Sequence, residues 1–126
     1  MFDKLKAMGQ MAALLKDKER LRESAQRIKH RAAEVRAEGE AGGGAVRAVA
    51  DGTMQVLRVE MQPALVAGIG GVAADERTRE LAGLLIAEAV NAAIRSAQEK
   101  MKAVMAEEAR EMGLPDLPGD FGSLLS

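Results

Sequence analysis

Gly42-Gly43-Gly44-Ala45-Val46-Arg47-Ala48-Val49-Ala50-Asp51-Gly52, with the run Thr53 to Met61 behind it, decides how this chain is read. It lies between two long helical patterns and reads as a β-hairpin. Asp51-Gly52 is a strong two-residue loop signal, because a type I′ turn needs φ > 0 at both central residues. That loop sets Ala50 opposite Thr53, Ala48 opposite Gln55 and Val46 opposite Leu57. Val46, Leu57, Val59 and Met61 then share one largely apolar face, as in a sheet with helices on one side. The glycine triplet gives the backbone freedom to swing into the hairpin. Pro63 ends the second hairpin strand, since it cannot donate to a ladder.

Working upstream, Val35, Ala37 and Gly39 alternate with Arg36, Glu38 and Glu40. Period two predicts a short first strand within residues 34–41. Ala and Glu also suit the last turns of a helix, so that alternative stands beside it. Before it, residues 3–32 read as one long helix. Leu14, Leu21, Ile28 and Val35 recur every seven residues, a seam of the kind that pairs helices. About 30 residues of helix measure about 45 Å. A compact chain of this length is only about 35 Å across. The helix should overhang its own domain, and a second copy is the simplest cover for its seam. The expected homodimer interface uses Leu14, Leu21 and Ile28, with Leu85, Val90 and Ile94 of the second helix.

Downstream, residues 66–74 read as a Gly-rich flexible connector. Gly68-x-Gly70-x-x-Ala73 matches a dinucleotide fingerprint by spacing, but no parallel strand follows to complete that fold. Asp75 is a candidate N-cap for the second long helix. Leu81, Leu84, Leu85, Ile86, Val90 and Ile94 form a broad apolar arc, which predicts burial on more than one side. Gly113 and Pro115 stop this helix near residue 112. One domain over residues 1–112 and a loosely ordered tail over 113–126 are expected.

The chain has 126 residues and no cysteine, so disulfides and thiolate metal sites are excluded and a reducing cytoplasm fits. No run has the length of apolar sequence that a membrane span needs, and the start lacks the apolar core of a secretory signal. The net charge of −1 hides an asymmetry. Residues 1–36 carry ten Lys/Arg against five Asp/Glu, 10 − 5 = +5, and the rest eight against fourteen, 8 − 14 = −6. A basic first helix permits a polyanion-facing surface.

No catalytic constellation is legible, which argues against an enzyme, a cofactor or a small-molecule substrate. His30 has no second ligand near it and reads as a solvent-facing helix residue. Glu107-Glu108 reads as an exposed acidic pair without a pocket. With no Trp or Tyr and only two Phe, recognition by base stacking is disfavoured.

Several strings together resemble the YbaB/EbfC family of small bacterial nucleoid-associated proteins. They are Met1-Phe2-Asp3-Lys4-Leu5-Lys6 with its Met/Gln-rich continuation, Gly42-Gly43-Gly44-Ala45-Val46, Asp51-Gly52, and Leu81-Ala82-Gly83-Leu84-Leu85-Ile86-Ala87-Glu88-Ala89-Val90-Asn91-Ala92-Ala93-Ile94. The last is the most specific. The resemblance implies an α+β fold in the order α-β-β-β-α, with a small three-stranded antiparallel sheet and a tweezer-like homodimer. It also implies binding of duplex DNA in the nucleoid with little sequence preference.

The residues offered for phosphate contact come from the helical wheel. At 100° per residue Lys16, Arg20, Arg27 and Arg31 fall within about 60° of helix surface. Lys18, Arg22 and Lys29 cluster on the far side of the apolar seam. Such side chains meet phosphates, which carry no sequence information directly. A protein-interaction adaptor that uses the same helices without touching DNA is the competing reading.

Overall fold

In the computed structural model the chain runs α1 (Phe2–Glu34), β1 (Ala37–Ala41), β2 (Val46–Ala50), β3 (Val56–Met61), α2 (Pro63–Gly70) and α3 (Glu76–Glu111). Residues 2–71 and 75–113 are described, without the side chains of 2–5, 7, 10, 11, 13 and 14. Residues 114–126, most of the expected tail, lie outside the description, as does the Leu14 side chain.

The α-β-β-β-α order expected from the sequence is present. Residues 37–41 resolve as strand: Ala37, Gly39 and Ala41 are buried while Glu38 and Glu40 are exposed. The three strands form one antiparallel sheet in the order β1-β2-β3. Its tight turn is the glycine triplet. Ala41 pairs with Val46, and Gly42, Gly43 and Gly44 between them take φ of 64°, 67° and 91°, a region glycine enters without steric cost.

The Asp51-Gly52 loop differs from expectation. Val46 pairs with Met61, Ala48 with Val59, Val49 with Arg58 and Ala50 with Val56. The loop is therefore Asp51–Gln55, and Leu57 is the extra residue of a bulge. The Asp51 carboxylate organises it. Its Oδ1 accepts from Thr53 N at 2.9 Å, Thr53 Oγ1 at 2.5 Å and Gln55 N at 3.2 Å, replacing the two-residue turn with a side-chain-closed one. The left-handed residue is Met54, with φ 66°, and not Gly52. Gly52 serves close approach instead. Its N–H donates to the Ala32 carbonyl at 2.9 Å, and a Cβ there would lie 2.7 Å from that oxygen and 2.6 Å from Met101 Sδ.

The core is built from small side chains. Ala89, Ala93 and Ala97, spaced four apart on one face of α3, cluster with Ala37 and Ala41 of β1 and Val46, Ala48 and Ala50 of β2. Leu85, Ile86 and Val90 are only partly buried at its margin. The broad apolar arc is thus covered on one side within the chain, and its outer members Leu81 and Leu84 are 56 % and 68 % exposed.

The connector reading of residues 66–74 is corrected as far as residue 70. Pro63 opens a short helix at the position where its missing N–H costs nothing, and Leu65 N and Val66 N donate to the Gln62 carbonyl at 3.0 and 3.1 Å. No residue of α2 is buried. Asp75 then caps α3, with Oδ1 accepting from Thr78 N at 2.9 Å and Thr78 Oγ1 at 2.8 Å. These bonds hold its carboxyl below the usual range. Gly113, at φ 76°, follows the other end of α3.

Candidate nucleic-acid interface

The C-terminal half of α1 lies antiparallel along the end of α3, joined by polar contacts. Glu108 of α3 is 2 % exposed. It accepts from Ser24 Oγ at 3.2 Å and from Arg27 Nε at 3.3 Å, and Arg31 Nη1 stands 3.9 Å away. Arg31 Nη2 donates to Glu107 at 2.7 Å. One turn further along α3, Arg20 Nη2 donates to the Met112 carbonyl at 3.4 Å, where a cation is favoured by the helix dipole. The Glu107 carboxylate raises the pKa of Arg31, and the Arg31 guanidinium in turn holds Glu107 below the usual carboxylate range.

Glu107-Glu108 is therefore not the exposed pair expected from the sequence. Adjacent helix positions point about 100° apart, so one carboxylate enters the α1–α3 seam while the other reaches its rim. A buried carboxylate without partners is strongly destabilising, by about 3–5 kcal/mol. Ser24, Arg27 and Arg31 supply those partners. No local signal marked this pairing, since Ser24 and Arg27 lie more than eighty residues from Glu108 in the chain.

The structure thus brings Arg20, Arg27 and Arg31 onto the face of α1 that meets α3. It leaves Lys16, Lys18, Arg22 and Lys29 exposed, with no ion pair among the described residues. Residues 2–19 precede the last hydrogen bond to α3, so about 27 Å of helix runs on past its end. His30 is solvent-facing as read, 3.2 Å from Glu34.

Of the residues offered for a dimer interface, Leu21 is 58 % exposed, and Ile28, Leu85, Val90 and Ile94 are half-buried. The apolar face expected of Val46, Leu57, Val59 and Met61 is covered only at Val46: Leu57, Val59 and Met61 are exposed, as are Val56 beside them and Val66 of α2. Their hydrophobicity was visible in the sequence, but the edge position that uncovers them was not. Among the described residues no group of His, Cys, Asp or Glu could hold a metal ion. No described helix is long and apolar enough to cross a membrane.

Comparison with known proteins agrees with this architecture. A solved structure, the uncharacterized protein HP0035 of Helicobacter pylori, superposes with a TM-score of 0.56 at 14 % identity, covering 77 % of this chain and 90 % of that one. At that identity the likeness speaks for the fold. A nucleoid-associated protein of Pseudomonas fluorescens (strain Pf0-1) is 33 % identical over 107 residues, 85 % of this chain and 91 % of its own length. The model of the YbaB/EbfC DNA-binding family matches residues 8–112. With this match across nearly all the described residues, the chain belongs to the YbaB/EbfC DNA-binding family.

Proposed function

We propose that the protein binds duplex DNA as a homodimer, with little sequence preference, through phosphate contacts from the basic surface of α1. The observation that carries this reading is the protruding part of α1, where Lys16 and Lys18, with Arg22 just behind them, stand in solvent without an ion pair among the described residues. Lysine and arginine on a helix that extends past its own domain can follow a phosphate backbone and need no pocket. The family's DNA-binding character supports the same partner.

The second copy is supported by apolar exposure. Leu21, the β3 side chains, Val66, Leu81 and Leu84 are large apolar side chains left 38–68 % exposed in the protomer, surface that a partner could cover. A partner of the same sequence covers such a surface symmetrically. Location in the cytoplasm, on the nucleoid, follows from this reading.

Retention on immobilised duplex DNA of random sequence tests it. The protein should bind at low salt and elute in a salt gradient. Flow-through at low salt would favour the adaptor reading, in which the same helices hold a protein partner.

A further inference from the structure

We infer that the two basic arcs of α1 do different work: Lys18, Arg22 and Lys29 meet the phosphates, whereas Arg20, Arg27 and Arg31 fasten α1 to α3. The inference rests on the DNA-binding reading proposed above and assigns its residues.

The geometry separates the arcs. At 100° per residue Lys18, Arg22 and Lys29 lie within about 40° of one another. They are centred about 170° around the helix from the face formed by Ser24, Arg27 and Arg31. That second face is occupied by the Glu108 carboxylate at 3.2–3.3 Å and by Glu107 at 2.7 Å. A phosphate approaching Arg27 or Arg31 would have to displace a carboxylate already bonded there, and would meet the charge of Glu107, Glu108 and Glu111 while doing so. A like-charge approach is unfavourable. The outer arc has no such competitor among the described residues. Lys18 to Lys29 spans about 16 Å along the axis, more than the width of a major groove, so one face of one helix can reach phosphates on both walls.

The test compares two variants of the full chain with wild type. One is Lys18→Gln/Arg22→Gln/Lys29→Gln and the other is Arg27→Gln/Arg31→Gln. Each is titrated with two unrelated duplexes over a range of salt, well below its unfolding temperature. The outer-arc variant should keep its Tm and lose about 0.9 in the slope of log K against log salt for each contact removed, equally on both duplexes. The clasp variant should melt earlier and keep the wild-type slope. Should the double change prevent folding, Arg31→Gln alone carries the same comparison, since that side chain is at the rim of the contact and 35 % exposed. Wild-type binding with an unchanged slope in the outer-arc variant, or a lost slope in the clasp variant, overturns the assignment alone. Wild type that fails to bind either duplex overturns the DNA-binding reading itself, and the assignment with it.

Discussion

Gly39 of β1 lies so close to Ala93 of α3 that a Cβ on the glycine would overlap the Ala93 amide nitrogen. The Ala89 carbonyl oxygen is equally near, and the Ala92 carbonyl carbon is at 2.7 Å. All three are backbone atoms, so no rotamer change can relieve the overlap. The helix rests on the sheet because Ala89, Ala93 and Ala97 face Ala37, Gly39 and Ala41, and none of these fills the gap.

Gly39→Ala should therefore destabilise the fold by about 3 kcal/mol or more, at the upper end of overpacking costs. Thermal unfolding followed by circular dichroism measures this. A variant that melts with wild type would mean that α3 does not sit on β1 as described.

Gly52→Ala should cost about 1–3 kcal/mol, through collision with Ala32 O and Met101 Sδ. Its φ is not in the left-handed region, so a D-amino acid there would give no rescue. Wild-type stability in Gly52→Ala would remove the docking of this loop on α1.

The fold was legible because its signals are local. The Gly42–Gly44 triplet, the alternation from Ala37 to Ala41, and Asp75 before a helical run each act within a few residues. The register of β2 and β3 was not legible, because the Asp51 side chain chose a longer loop than Asp51-Gly52 would make alone. Nor was the role of Glu108, which depends on Ser24 and Arg27, more than eighty residues away. Hydrophobicity marked Leu84 as core, yet Ala89 and Ala93 are the buried positions, since close packing against a glycine selects small side chains. The basic arcs of α1 were both visible on a wheel, but which one faces α3 is tertiary information.

Stability should fall in acid. Hydrogen bonds from Thr53 hold the Asp51 carboxyl below its ordinary value, and Arg31 does the same for Glu107. A carboxylate whose pKa is depressed in the folded state stabilises it fully above the unfolded-state pKa, about 4. That contribution is lost as pH falls through the lower, folded-state value. Tm should be flat between about pH 5 and 7 and drop below pH 4. Glu107→Gln should reduce the drop. An identical acid limb in that variant would show that its pairing with Arg31 contributes nothing in solution.

Leu21→Glu should weaken the dimer while leaving the protomer folded. Leu21 is 58 % exposed in the protomer, so the charge stays in water until a partner covers it. Burying it unpaired in an interface is costly. Sedimentation at micromolar concentration should show a folded monomer for the variant and the proposed dimer for wild type. A variant that sediments as wild type would place the second copy elsewhere.

The most direct test is a gel-shift titration of the wild-type protein against two duplexes of unrelated sequence, each at two salt concentrations. Binding through phosphates predicts similar affinities for both duplexes and a loss of affinity with salt, by a slope of about 0.9 per phosphate contact. A strong preference for one duplex, or affinity indifferent to salt, would contradict phosphate-led recognition, and no shift at the lower salt would contradict DNA binding altogether.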